Sequence, residues 1–157
     1  METLETILAE IPVFHGLKPE YLALITGCAS NVRFTADQFI GRKGEPANRF
    51  FLIRQGRVAV EIHAPGRGVL TIQTVGENEV LGWSWLLPPY QWHFDARALC
   101  VTRALALDAK CLRTKFDKDP ALGYELLLRF SQLIEQRVEA MSLQLLDLYG
   151  VPEDVPR

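Results

Sequence analysis

Apolar and polar positions change their period twice along this chain, and each change predicts a change of element. Near the N-terminus, Leu4, Ile7 and Leu8 share one helical face, and Leu22, Leu24, Ile25 and Cys28 make a second. Two short helices are expected within residues 3–29, the second opening on Pro19, whose fixed φ suits a first helical turn. From Asn31 the helical period is lost. Val32 and Phe34, then Phe39 and Ile40, read as strand pieces broken by 35-TAD-37. The clearest strand signal is 50-FFLIRQGRVAVEIHA-64, where Val58, Val60 and Ile62 alternate with Arg57, Ala59 and Glu61, and Gln55-Gly56 interrupts the run as a turn does. A second turn, 64-APGRG-68, leads into the alternating 69-VLTIQTV-75, and Gly76-Glu77-Asn78 turns the chain again. The segment 97-RALCVTRALALD-108 reads as another strand pair or one long bent strand. Short strands separated by glycine-containing turns predict an antiparallel barrel or jelly roll over residues 31–108.

After Asp108 the helical period returns. The piece 110-KCLRTKF-116 is followed by Asp119-Pro120, which opens one long helix ending near Gly150 and Pro152. Along it Leu127, Phe130, Ile134, Val138, Met141, Leu145 and Leu148 advance by three or four residues, the spacing of a coiled-coil seam. A second stripe, Leu122, Leu126 and Leu133, is placed to face the barrel. Either both stripes pack on the helix's own domain, or the seam pairs two copies of the chain. The expected fold class is α+β: an antiparallel β jelly-roll barrel with short N-terminal helices and a long C-terminal helix. It forms one domain over residues 1–150, with its C-terminal helices in 110–150 and a tail at 151–157.

Composition narrows the function. A net charge of −2 over 157 residues gives no general attraction to nucleic acid or anionic lipid. No apolar run approaches the ~20 residues that cross a bilayer, and the N-terminus lacks the basic region of a signal peptide. The three cysteines, Cys28, Cys100 and Cys111, are widely spaced with no CxxC pair. Neither a zinc site nor a disulfide framework is expected, and all three read as reduced thiols in a cytoplasmic protein. No Ser-His-Asp, HExxH or GxxxxGK pattern occurs, so no catalytic residues, no metal and no enzymatic activity are expected.

The run 39-FIGRKGEPANRFFLIRQGRVAVEI-62 resembles the opening half of a cyclic nucleotide-binding domain, as found in catabolite activator-type regulators. The matching residues are Gly44-Glu45, Ala47, Phe50-Phe51-Leu52-Ile53 and Gly56-Arg57-Val58. The resemblance implies a phosphate-binding cassette, a short helix with a Gly-Glu start and an Arg ten residues after the Gly. Backbone N–H groups at the helix start favour an anion, the Arg pairs with the cyclic phosphate, and the Glu accepts from a ribose hydroxyl. In 80-VLGWSWLLPPYQWHFDARAL-99 the spacing is kept and both anchors are gone. Gly82 stands where the cassette Gly belongs, Trp83 replaces the Glu, Trp92 the Arg, and His93 the small residue after it. The implied ligand segment is Gly82, Trp83, Ser84, Trp85, Trp92, His93 and Arg97, and it is not expected to bind cyclic AMP or cyclic GMP.

Two readings of the tryptophans stay open. They plug the vacated site, since each indole buries 150–250 Å², or they line a pocket or surface patch for another ligand or a protein partner. His93 invites a haem-ligand role, but a lone His between aromatics is more often structural, so no cofactor is expected. Arg97 reads as a solvent-facing residue of the next strand, Glu45 as part of a turn, and His15 and His63 are given no role. The resemblance also implies a homodimer through the long helix. Related regulators carry a helix-turn-helix module after it, where only seven residues follow Gly150 here, so no nucleic-acid or membrane partner is expected. The function implied is a non-enzymatic regulatory or sensor domain, or alternatively an interaction subunit docking through the Trp/Pro-rich surface. Pocket volume separates these: an open cavity suits a sensor, a filled one an interaction module.

Overall fold

The run 50-FFLI-53 does not alternate because its strand is buried on both faces. In the computed structural model, which describes residues 3–149, strand β3 (Arg49–Gln55) and strand β8 (Thr102–Asp108) form the middle of a three-layer arrangement. Phe51, Ile53, Ala104 and Ala106 face a second sheet, while Phe50, Leu52, Leu105 and Leu107 face the helices. The first sheet has the order β1-β8-β3-β6, with β1 at Ala29–Phe34 and β6 at Val80–Leu81. The second has the order β2-β7-β4-β5, with β2 at Phe39–Gly41, β7 at Asp95–Ala98, β4 at Val58–Ala64 and β5 at Gly68–Val75. Every pairing is antiparallel. This is the expected α+β jelly roll.

Two strand expectations are corrected. Residues 97–108 belong to two strands and not one bent strand, but the two do not pair with each other, because β7 and β8 lie in opposite sheets. The turn between them crosses the edge of the sandwich close against Gly56. That residue has φ +106°, and a Cβ there would lie 2.8 Å from the Val101 carbonyl oxygen, so only glycine fits. In β4 the polar side of the alternation is also covered. Ala59 and Glu61 are buried, because β7 pairs alongside and lays Arg97 against Glu61.

The helices are α1 (Leu4–Glu10), α2 (Pro19–Thr26), α3 (Ala109–Lys118) and α4 (Pro120–Leu148). Asp108 and Asp119 cap the last two, accepting from the N–H groups of Cys111 at 2.8 Å and Leu122 at 3.3 Å. Leu122 and Leu126 are buried against the first sheet, as their stripe predicts, with Leu133 at the edge of that contact. Phe130, expected in the coiled-coil seam, is instead fully buried in the same core. It packs edge-on against Phe50 and Trp85, both at 5.3 Å. Past Phe130 one face of the helix stays against the domain through Leu133, Arg137 and Met141, while Val138, Leu145 and Leu148 are exposed. The expected helix end at Gly150 and Pro152, and the tail, lie outside the described residues. No helix among them is long and apolar enough to cross a membrane.

The reading of three reduced thiols is corrected too. Cys28 and Cys111 form a disulfide, with Cα atoms 5.8 Å apart across a sequence separation of 83. Strand pairing brings them together. Ala29 pairs with Leu107, and the Asp108 N–H donates to the Cys28 carbonyl at 2.9 Å. Cys100 is a free, exposed thiol.

Candidate functional site

The cassette segment is launched by β6, whose Val80 and Leu81 pair with Leu52 and Phe51 of β3. Gly82 then takes φ +96° and turns the chain into a single 3₁₀ turn over Ser84–Leu86. Here the three tryptophans part company. Trp85 is fully buried among the helix-side residues. Its ring stacks on Phe50, with centroids 4.5 Å apart and planes 13° apart, and its indole N–H has no hydrogen-bond partner. It belongs to the core and does not face the cassette pocket.

Trp92 and Trp83 occupy the cassette pocket itself. Trp92 lies across Gly41 of β2 and against Gly82, touching both halves of the core. Trp83 lies beneath the guanidinium of Arg137 from α4, 5.0 Å from ring centre to Cζ. Between Val60, Leu81, Gly82, Trp83, Trp92 and Phe94 a cavity of about 20 Å³ remains, room for about one water.

The far end of the segment is zipped onto the loop after β2. The Gly44 N–H donates to the Trp92 carbonyl at 2.8 Å, the Trp92 N–H to the Glu45 carbonyl at 2.9 Å, and the Ala47 N–H to the Tyr90 carbonyl at 2.7 Å. Glu45 is part of a turn, as expected, its N–H donating to the Arg42 carbonyl. Between these anchors Leu87, Pro88 and Pro89 stand exposed, joined through a cis Pro88-Pro89 bond.

Of the other expected site residues, Ser84 and His93 join this cavity and Arg97 does not. Ser84 and His93 line the mouth of the small cavity, His93 exposed and edge-on to Phe94 at 6.5 Å. Arg97 is partly exposed to solvent, as expected of this strand, and it does not reach the pocket. Its guanidinium forks onto Glu61 with two bonds of 3.0 Å and reaches Asp37 at 2.7 Å. Glu61, with help from Asp37, holds the Arg97 pKa above its ordinary value. His63 lies 3.5 Å from Asp95, which accepts from the Lys43 N–H at 2.8 Å. Among the described residues no three His, Cys, Asp or Glu side chains gather as a metal site would require.

Two arginines that the pattern of residues does not single out hold the segment from outside. Arg113 of α3 donates to the Trp85 carbonyl at 2.8 Å and lies over the Tyr90 ring at 4.2 Å. Arg137 donates to the Val80 carbonyl as well as covering Trp83. Burial pushes its pKa below the ordinary arginine value, with Glu79 opposing. Neither carries a sequence signal: Arg137 stands among Glu135, Gln136 and Glu139, as a residue of a solvated helix face would. On the other side of Arg137 a second cavity of about 330 Å³ opens between α4 and the turn joining β5 to β6, with Ile72, Gln73 and Met141 in its wall.

The family model described as cyclic nucleotide-binding domain matches residues 31–119. A CRP-like cAMP-activated global transcriptional regulator of Mycobacterium tuberculosis is 25% identical over 153 residues, covering 98% of this chain and 66% of that protein. Thus this chain spans just under two thirds of that curated relative. Among solved structures, a cyclic nucleotide-binding domain from Methylobacillus flagellatus superposes with a TM-score of 0.79 at 22% identity, over 97% of this chain and 85% of that one. The Thermus thermophilus catabolite activator protein superposes at 0.70 and 24% identity, over 88% of this chain and 63% of that one. At these identities the structural likenesses establish the fold.

Proposed function

The chain belongs to the cyclic nucleotide-binding domain family, and from that membership we propose that it is a non-enzymatic regulatory domain acting without a cyclic nucleotide, through protein contacts. The observation that carries this reading is the 20 Å³ left between Trp83 and Trp92. Small-molecule sites commonly enclose about 300–1,000 Å³. The chemistry supports the same reading. A desolvated phosphate without its paired cation costs about 3–5 kcal/mol, and a ribose hydroxyl without its acceptor about 1–3 kcal/mol. At about 1.4 kcal/mol per tenfold, such losses turn a micromolar site into a millimolar one or worse.

The output surface in this reading is α4. With Phe130 withdrawn into the core, Ser131 takes its place, and Tyr124, Leu127, Ser131, Ile134, Val138, Met141, Leu145 and Leu148 then advance by strictly alternating steps of three and four. That is the a/d spacing of a coiled coil. Tyr124, Leu127, Val138, Leu145 and Leu148 are exposed in the single chain, which supports pairing with a second copy. The exposed Leu87-Pro88-Pro89 stretch offers a separate apolar surface to a different protein.

Titration calorimetry with cyclic AMP and cyclic GMP tests the central claim. Dissociation constants of about a millimolar or weaker are expected, and a value below about ten micromolar would overturn it. Restoring both anchors with Trp83→Glu and Trp92→Arg tests the same claim in reverse, with gain of binding expected.

One observation favours a second reading, a sensor for some other small molecule. Gln73 in the 330 Å³ cavity has a buried side-chain oxygen with no partner, as a site awaiting a donor would show. A small molecule whose binding is lost in Gln73→Leu would turn the assignment toward that reading.

A further inference from the structure

Helix α3 is ten residues long, and three of its side chains reach three different parts of the molecule. Cys111 is bridged to Cys28 at the junction of α2 and β1. Arg113 holds the cassette through the Trp85 carbonyl and the Tyr90 ring. Phe116 packs on Trp85 at 6.0 Å and against α4 at Gly123, where an added Cβ would come within 3.1 Å of it. Residues that far apart in sequence meet on one short helix, and one of the three links is covalent and reducible.

We propose that the Cys28–Cys111 bridge is a thiol–disulfide switch that sets the position of α3, and through it the cassette and α4. The backbone keeps the two cysteines adjacent in either redox state. The Asp108 N–H donates to the Cys28 carbonyl, and the Asp108 carboxylate accepts from the Cys111 N–H. Opening the bridge therefore leaves the sulfurs within reach of each other, and closing it is an intramolecular step. What the bridge adds is a covalent tether on the first turn of α3, a helix otherwise held by non-covalent contacts alone.

Access is provided on one side. A groove of about 490 Å³, lined by Leu24, Cys111, Thr114, Lys115 and Lys118, leads to Cys111, which is partly exposed, whereas Cys28 is buried. A thiolate of a dithiol reductant attacks Sγ of Cys111, forming a mixed disulfide and releasing Cys28 as the thiolate. The reductant's second thiolate then attacks its own sulfur and releases Cys111. Two electrons and two protons pass to the protein, which ends with two thiols, and the reductant ends as a disulfide. A thiol-buffered compartment sets the fraction closed, so the bridge reports redox poise in a fold whose nucleotide site is filled. The inference rests on the reading of α4 as the output element for its last step only.

The test uses the full chain carrying Cys100→Ser, which removes the exposed third thiol. Alkylation and mass spectrometry of the unreduced protein should find Cys28 and Cys111 protected, and dithiothreitol should expose both. Hydrogen exchange should then rise roughly tenfold within residues 109–118 and at 84–86, a loss of about 1.4 kcal/mol of local stability. The self-association constant should change by about fivefold or more, the lower end of ordinary allosteric coupling. Cys28→Ser should give the reduced values with and without dithiothreitol, and reduction of the parent keeps the test independent of how that variant folds. Alkylation of both cysteines without reductant, or unchanged exchange in α3 on reduction, overturns the switch. Unchanged self-association alongside altered exchange overturns the relay to α4. Failure of the nucleotide-free reading would appear in calorimetry and leave the α3 result standing.

Discussion

A Cβ built on Gly41 would lie 2.4 Å from Cε2 of Trp92, so the indole rests directly on the backbone of β2. Trp92 is thereby turned inward, onto the one residue of β2 that offers no side chain to obstruct it. Gly41→Ala must push the ring away, since neither atom lies at the end of a flexible chain. Overpacking of this kind costs about 1–3 kcal/mol. Urea unfolding should show that loss together with a red-shifted tryptophan emission. An unchanged midpoint and spectrum would mean the indole does not lie on β2.

Trp85 and Phe50 form the other decisive aromatic pair, stacked within the helix-side core. Trp85→Ala should cost about 3–5 kcal/mol. Trp85→Phe should cost clearly less, because it keeps a stacking ring and removes the buried, unpartnered N–H. Chemical denaturation distinguishes the two. Equal losses would mean the indole N–H has a partner or the stack contributes little.

Dimerisation through α4 is tested where the single chain has nothing to lose. Val138 and Leu145 are 57% and 52% exposed, so replacing both with Glu should leave the fold intact. In a paired seam the same charges would be desolvated and unpaired, at several kcal/mol. Sedimentation should show a dimer for the parent chain and a monomer for the double variant. A parent already monomeric at micromolar concentration refutes the pairing. Phe130→Glu, by contrast, should unfold the domain.

Arg137 links α4 to the cassette by a hydrogen bond to the Val80 carbonyl and by its position over Trp83. Arg137→Met, of similar shape, leaves that carbonyl without its donor and removes the cation–π contact, for about 1–3 kcal/mol together. Arg137→Lys should recover only part, since an ammonium cannot lie flat on the ring while donating to Val80. Urea unfolding of both variants checks this, and full recovery by Lys would show that charge alone matters.

The jelly roll and the two helical ends were legible in the order of residues, and the proposal that both nucleotide anchors are lost rests on that order too. Period, turn chemistry and motif spacing are properties of neighbours in the chain: Gln55-Gly56 breaks a strand wherever that strand packs, and a Trp at position 92 offers no positive charge to a phosphate in any packing. The three tryptophans are a different case. They lie within ten residues of one another and have the same chemistry, so no pattern says that Trp85 enters the core while Trp83 and Trp92 fill the site. The choice depends on where Phe50, Gly41 and Arg137 stand, and these belong to other elements. Phe130 and Ser131 are equally close to the seam spacing, and only the packing of α4 on the first sheet buries one and frees the other. Cys28 and Cys111 meet because β1 pairs with β8, and Arg113 and Arg137 reach the cassette across 28 and 57 residues of chain. Burial and contact are settled between elements distant in sequence, and that part of this protein exists only once the sheets have closed.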